Sequence, residues 1–90
     1  MYRIAYTSRF KKDFNRCRKR GLDISILENA IDILQLNGKL PIIYKPHKLS
    51  GNYADCWECH LQFDWLLVWR QNDSELILLF MNTGTHTDLF

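Results

Sequence analysis

Ninety residues, 47% of them hydrophobic, are enough for one small domain and too apolar for a disordered chain. A chain of this size buries only about two-thirds of its unfolded surface, so its core is adequate but small. The net charge of +2 excludes neither an acidic nor a basic partner. No apolar run approaches the roughly 18 residues of a membrane span, and the start, Met1 to Tyr6, lacks the apolar core of a signal peptide, so a cytoplasmic address and no membrane partner are expected.

The charge is unevenly spread. Up to Lys48, eleven Lys and Arg face four Asp and Glu, for +7; from Leu49 on, Arg70 alone faces six acids, for −5. A basic half suits a phosphate backbone or an acidic partner, and equally a solvated helix face.

Tyr2 to Tyr6 alternates polar and apolar residues and reads as a short strand. Thr7 or Ser8 then caps a helix whose Phe10, Phe14 and Cys17 share one face, with Lys11, Lys12, Arg16, Arg18, Lys19 and Arg20 over much of the rest, and Gly21 ends it. Ser25 and Glu28 have the spacing of a capping box for a second helix. Ile24, Leu27, Ile31 and Leu34 form its apolar face and Gly38 its stop. The two helices are expected to form a hairpin. Leu40 to Asn52 holds Pro41, Pro46 and Gly51 and reads as loop or irregular edge.

Asp55 to Gln62 alternates again. Trp57, Cys59 and Leu61 point one way; Glu58, His60 and Gln62 point the other. Trp65 to Arg70 is a nearly continuous apolar run and reads as a central strand. Gln71 to Glu75 reads as a polar turn, Leu76 to Met81 as another strand, and Thr83-Gly84 as its end before a short tail. Strand, two helices, then three strands make an α+β domain spanning residues 1–90: an N-terminal strand and helical hairpin on a small, mostly antiparallel sheet. The helices cover one sheet face, so the polar face of the 55–62 strand is where a site is expected.

Three cysteines, an odd number, argue for free thiols. Cys56-Trp57-Glu58-Cys59-His60 matches the pattern of haem attachment, but that chemistry belongs to exported proteins. A zinc site on Cys56, Cys59 and His60 lacks a fourth ligand at suitable spacing. The two cysteines are therefore read as small strand residues.

All three histidines lie in the second half, each beside turn or strand-end residues: His47, His60 and His86. Imidazole alone has an unperturbed pKa suited to giving and taking protons near neutrality. With Asp64 they could support acid–base chemistry if the fold assembles them. Asp64 could equally start the turn into the next strand. Phe90 could stack on a base or plug the core, and Trp57, Trp65 and Trp69 read as packed aromatics.

Three segments in order, Tyr44-Lys45-Pro46-His47-Lys48-Leu49-Ser50-Gly51, Glu58-Cys59-His60-Leu61-Gln62-Phe63-Asp64-Trp65, and Thr83-Gly84-Thr85-His86 with the terminal Leu89-Phe90, resemble the YafQ branch of the RelE/ParE toxin superfamily. The resemblance extends over nearly the whole chain. It implies a RelE-like fold and a toxin of a bacterial type II toxin–antitoxin module. The implied activity is an endoribonuclease that cuts mRNA on the ribosome and so stops translation. It implies attack of a ribose 2′-hydroxyl on the adjacent phosphate, with no metal and no cofactor. The implied partners are the ribosome, mRNA and a DinJ-type antitoxin, with operator DNA reached only through the antitoxin.

By the same resemblance, His47, His60, Asp64 and His86 match catalytic positions and Phe90 a substrate position. His86 is expected to move a proton, as the acid, while His60, Asp64 or His47 supplies or orients the base. Lys45 and Lys48 flank His47 and are expected to contact phosphate. Two positions depart from the family: Asn82 and Trp57 stand where arginines are common. Neither can replace a guanidinium as a phosphate clamp, which keeps open a protein that binds but no longer cuts. Phe63 stands where proline is common. A metal-dependent hydrolase built on the His/Asp cluster is a third reading, separable by chelator sensitivity.

Overall fold

The computed structural model describes residues 1–90. Strand β1 (Arg3–Tyr6) leads into helices α1 (Ser8–Lys19) and α2 (Ile24–Asn37); β2 (His47–Lys48), β3 (Cys56–Gln62), β4 (Trp65–Asn72) and β5 (Ile77–Gly84) follow, and a single turn of helix, α3 (His86–Leu89), closes the chain. The sheet order is β1-β5-β4-β3-β2. Only β1 and β5 are parallel, with both helices and the other three strands between them in the chain; every other pair is antiparallel. The expected α+β architecture is the one observed. No helix is long and apolar enough to cross a membrane.

Local chemistry explains the helix limits. Thr7 caps α1, its hydroxyl accepting from the Phe10 amide at 3.0 Å. For α2 the cap differs from the expected Ser25–Glu28 box. Asp23 is the N-cap, and both the Ser25 amide (3.1 Å) and its hydroxyl (2.6 Å) donate to Asp23 Oδ1. A carboxylate two residues upstream is the stronger acceptor for orphan amides, so the helix starts one residue before Ser25 and Glu28 falls too far along to close a box. Gly38 ends α2 with φ +71, and a Cβ there would sit 2.5 Å from the Tyr2 hydroxyl. Position 38 thus needs glycine both for its backbone and for the close approach of the Tyr2 ring, just before β1.

The main core lies between the helices and one sheet face. Phe10 and Cys17 from α1 and Leu27, Ile31 and Leu34 from α2 meet Cys59, Leu61, Leu67, Trp69 and Phe80. Trp57 stacks on Trp69, ring centroids 6.2 Å apart. A smaller cluster of Cys56, Leu66, Val68 and Leu89 forms on the other face, where α3 packs. Cys56 and Cys59 are three residues apart in one strand and so belong to different cores, which separates the two thiols. Burial pushes the Cys59 thiol up to about 12, leaving it inert.

Three strand limits differ from the sequence reading. Gln71 and Asn72 belong to β4, paired with Leu78 and Ile77, and the turn begins later. Thr83 and Gly84 do not break β5; they pair with Leu67 and Leu66. The Thr83 hydroxyl donates to the Leu66 carbonyl (2.7 Å) and accepts from the Trp65 indole (3.0 Å), bonds to a partner strand that offset the weak strand preference of the glycine. The stretch 40–52 is irregular as expected, but its centre, His47–Lys48, pairs with Trp57–Glu58 as an edge strand.

Candidate active site

The four residues expected to work together come from four separate places in the fold. His47 sits on β2, His60 on β3, Asp64 in the β3–β4 turn and His86 at the first position of α3. The sheet brings them into a row. The His47 and His60 ring centroids are 6.3 Å apart, and those of His60 and His86 are 6.0 Å apart.

Each end of the row is held by a carboxylate. His86 Nδ1 lies 2.7 Å from Asp64 Oδ1, and the same oxygen accepts the His86 backbone amide at 2.9 Å. Asp64 adopts φ +53 in its turn, a left-handed conformation that aspartate tolerates better than most residues. Asp64 thus sits in the turn into β4 and also touches His86. The His86 amide, then the His86 ring, keep the Asp64 carboxyl below the usual aspartate range, so it is ionised at neutral pH. A carboxylate on Nδ1 fixes the proton there and leaves Nε2 as the nitrogen free to exchange one. At the other end, His47 Nε2 is 3.2 Å from Glu58 Oε1 and Nδ1 is 2.9 Å from the Lys45 carbonyl. Glu58 is buried, and the sequence reading placed it on this face without giving it a role.

A cleft of about 570 Å³ opens beside the row, lined by Ile43, Lys45, His60, Leu61, Gln62, Phe63, Asp64 and His86. Lys45, with φ +50, is the lysine in its lining. Lys48 is elsewhere: its ammonium lies 5.7 Å above the Trp57 ring, toward the helix-covered face. Phe90 is exposed, edge-on to Tyr53 at 5.1 Å, and does not line the cleft. Neither family departure places a cation among the histidines. Trp57 belongs to the opposite face of β3, and the Asn82 amide is turned to Asp13 on α1 at 3.4 Å. No three His, Cys, Asp or Glu side chains converge closely enough to hold a metal ion.

The device that carries His86 was missed in the sequence. Thr85 and Asp88 form a capping box around α3: the Thr85 amide donates to Asp88 Oδ2 (2.9 Å) and the Asp88 amide to the Thr85 hydroxyl (3.1 Å). Arg20 at the end of α1 grips the same carboxylate with both arms, at 2.6 and 3.1 Å. That guanidinium holds the Asp88 carboxyl well below the usual carboxylate range. Gly84 makes room, since a Cβ there would come within 2.7 Å of Asp88 Oδ2. The Thr-x-x-Asp spacing was legible as a helix start; its partner on α1 was not.

The sequence and the fold are similar to those of known proteins. The YafQ toxin of Escherichia coli K12, an mRNA interferase toxin, is 34% identical over 97% of this chain and 94% of its own length. The crystal structure of YafQ from E. coli BL21(DE3) superposes with a TM-score of 0.92 at 32% identity, covering 100% of this chain and 99% of that one. YafQ in its E. coli complex with DinJ gives 0.90 at 33% identity, with the same coverage. The family model for YafQ, bacterial toxin of type II toxin–antitoxin systems, matches residues 2–90. The histidine row, its carboxylates and the sheet that assembles them thus sit in a chain that belongs to the YafQ family of type II toxins.

Proposed function

We propose that this chain is a ribosome-dependent mRNA endoribonuclease, the toxin of a type II module that inhibits translation in the cytoplasm. The observation that carries this reading is the Asp64–His86 pair at 2.7 Å, facing His60 across the cleft mouth. RNA cleavage by a neighbouring 2′-hydroxyl needs one group to take the hydroxyl proton and another to protonate the departing 5′-oxygen. His86, oriented by Asp64, is assigned as the acid. His60 stands 6.0 Å away, ring centre to ring centre, a spacing that suits opposite sides of one phosphate, and it is assigned as the base; Glu58 and His47 anchor the far end. The 2′-oxygen bonds to phosphorus as the 5′-oxygen leaves with the acid's proton, giving a 2′,3′-cyclic phosphate and a 5′-hydroxyl. Lys45 offsets charge on the phosphorane, while Phe90 and Lys48, away from the cleft, are assigned to flanking RNA.

A DinJ-type antitoxin is the proposed protein partner, and operator DNA is reached through it. The basic α1 offers the electrostatic match for an acidic segment or for ribosomal RNA.

The test is cleavage of mRNA by purified chain on programmed ribosomes, with chelator present and His86→Ala alongside. Chelator-resistant cuts that need ribosomes and disappear in the variant support the reading. A second reading, binding without cutting, is favoured by one observation: Asn82 is tied to Asp13, so Lys45 alone supplies lasting positive charge in the cleft lining. Ribosome binding by folded protein with intact message would select it.

A further inference from the structure

We propose that Phe63 is a stacking platform for an unpaired RNA base beside the scissile phosphate, a subsite that sets affinity for the message. The inference rests on the nuclease reading above for the identity of its ligand. Phe63 occupies the two-residue turn between Gln62 and Trp65, which pair with each other. A turn of that length calls for Gly, Asn, Asp or Pro, and nothing in its geometry requires an aromatic ring. The ring gives nothing to the fold: it is 101% exposed, belongs to neither core cluster and meets no other aromatic ring.

Its position separates it from the other exposed aromatic residues, Tyr6 and Phe90. Phe63 lines the catalytic cleft and directly precedes Asp64, the residue that orients His86. Ile43, 81% exposed, and Lys45 line the same cleft. An apolar ring, an apolar flank and an ammonium around an acid–base row suit a nucleotide: a base on the ring and its phosphate on the lysine. Stacking accepts any base because every base has a π-face, so the platform strengthens binding without choosing sequence. Phe63 touches a base and not the reacting atoms, so it acts on KM and leaves kcat nearly unchanged.

The test uses the full chain, Phe63→Ala and Phe63→Trp with a short RNA, free and on programmed ribosomes. The RNA carries a 2′-deoxy nucleotide at the cut site, which blocks attack, and 2-aminopurine at a flanking position, whose fluorescence is quenched by stacking. Expected are quenching by wild type and Phe63→Trp, its loss in Phe63→Ala, and RNA binding weaker by roughly five- to 100-fold in Phe63→Ala. On cleavable RNA, KM rises by a similar factor while kcat changes little. Equal RNA binding and quenching by wild type and Phe63→Ala overturns the platform, even where cleavage stands. Loss of antitoxin binding with RNA binding intact also overturns it, assigning the ring to the protein partner. Phe63-dependent quenching without cleavage by wild type upholds the platform while the nuclease reading fails.

Discussion

The two faces of the sheet are built from the same strands and do opposite work. Cys59, Leu61, Leu67 and Trp69 point from β3 and β4 into a core closed by two helices. From the same two strands, Glu58, His60, Leu66 and Val68 point to a face covered only by a small cluster and the one-turn α3. The first face is crowded and apolar and supplies stability. The second is thinly covered, which leaves His60 half-buried and His47 and His86 exposed, but it depends on a short tail for the proposed acid. The proposed acid therefore rests on a single helical turn in which Leu89 is the one buried residue, held from outside by Arg20.

Substitutions can break this contrast or sharpen it. The largest effect is expected from His86→Ala, which should cut mRNA cleavage by about 10²- to 10⁴-fold with an unchanged thermal midpoint; primer extension and a melting curve check both halves. Leu67→Ala, on the helix-covered face, should cost about 2–5 kcal/mol in urea unfolding while the fraction that remains folded cuts normally. Val68→Ala, the next residue and on the other face, removes two methyl groups at about 0.8 kcal/mol each. It should nevertheless depress cleavage by the folded protein more than Leu67→Ala does, because Val68 shares a cluster with Leu89 of α3. Equal activity per folded molecule in these two variants would erase the distinction between the faces.

Smaller effects should come from the tail clasp. Asp88→Ala removes the carboxylate that accepts the Thr85 amide and the Arg20 contact, and should slow cleavage about fivefold, the equivalent of about 1 kcal/mol for a lost hydrogen bond. Arg20→Ala leaves the capping box in place and should change the rate less than about twofold, as exposed ion pairs contribute little. Single-turnover rates would rank the two. The pH dependence follows from the same groups. Asp64 and Asp88 both have depressed carboxyl pKa values in the folded chain. Their contribution is therefore fully present above the ordinary aspartate value of about 3.9 and is lost as pH falls through their lower folded values. Amide hydrogen exchange at His86 and Phe90 should stay protected to about pH 4 and loosen below it, ahead of the β4 amides.

Much of this was readable in advance, for reasons specific to each segment. The alternation across 55–62 assigned His60 and Glu58 to one face and Trp57, Cys59 and Leu61 to the other, because a strand's period of two leaves no freedom once one face is buried. The spacing of Leu27, Ile31 and Leu34 fixed the inward face of α2 in the same way. The misreadings lay where partners distant in sequence decide. β5 runs through Thr83-Gly84 because Leu66 and Trp65 bond to Thr83. Asp88 acquires its role from Arg20, 68 residues away. Lys48, next to His47, and Phe90, a turn of helix after His86, are turned elsewhere by Trp57 and Tyr53.

By itself, the amino-acid sequence determined the local elements, the inward and outward faces of each, and the residue types able to move protons. Those properties follow from backbone periodicity and side-chain chemistry, which act within a few residues. Only the tertiary structure decided that His47, His60 and His86 form one row, that Asp64 holds His86, and that Phe63 lines the cleft beside them. Strand pairing and the contacts of Asp64 with His86 set those distances, and both join residues far apart in the chain.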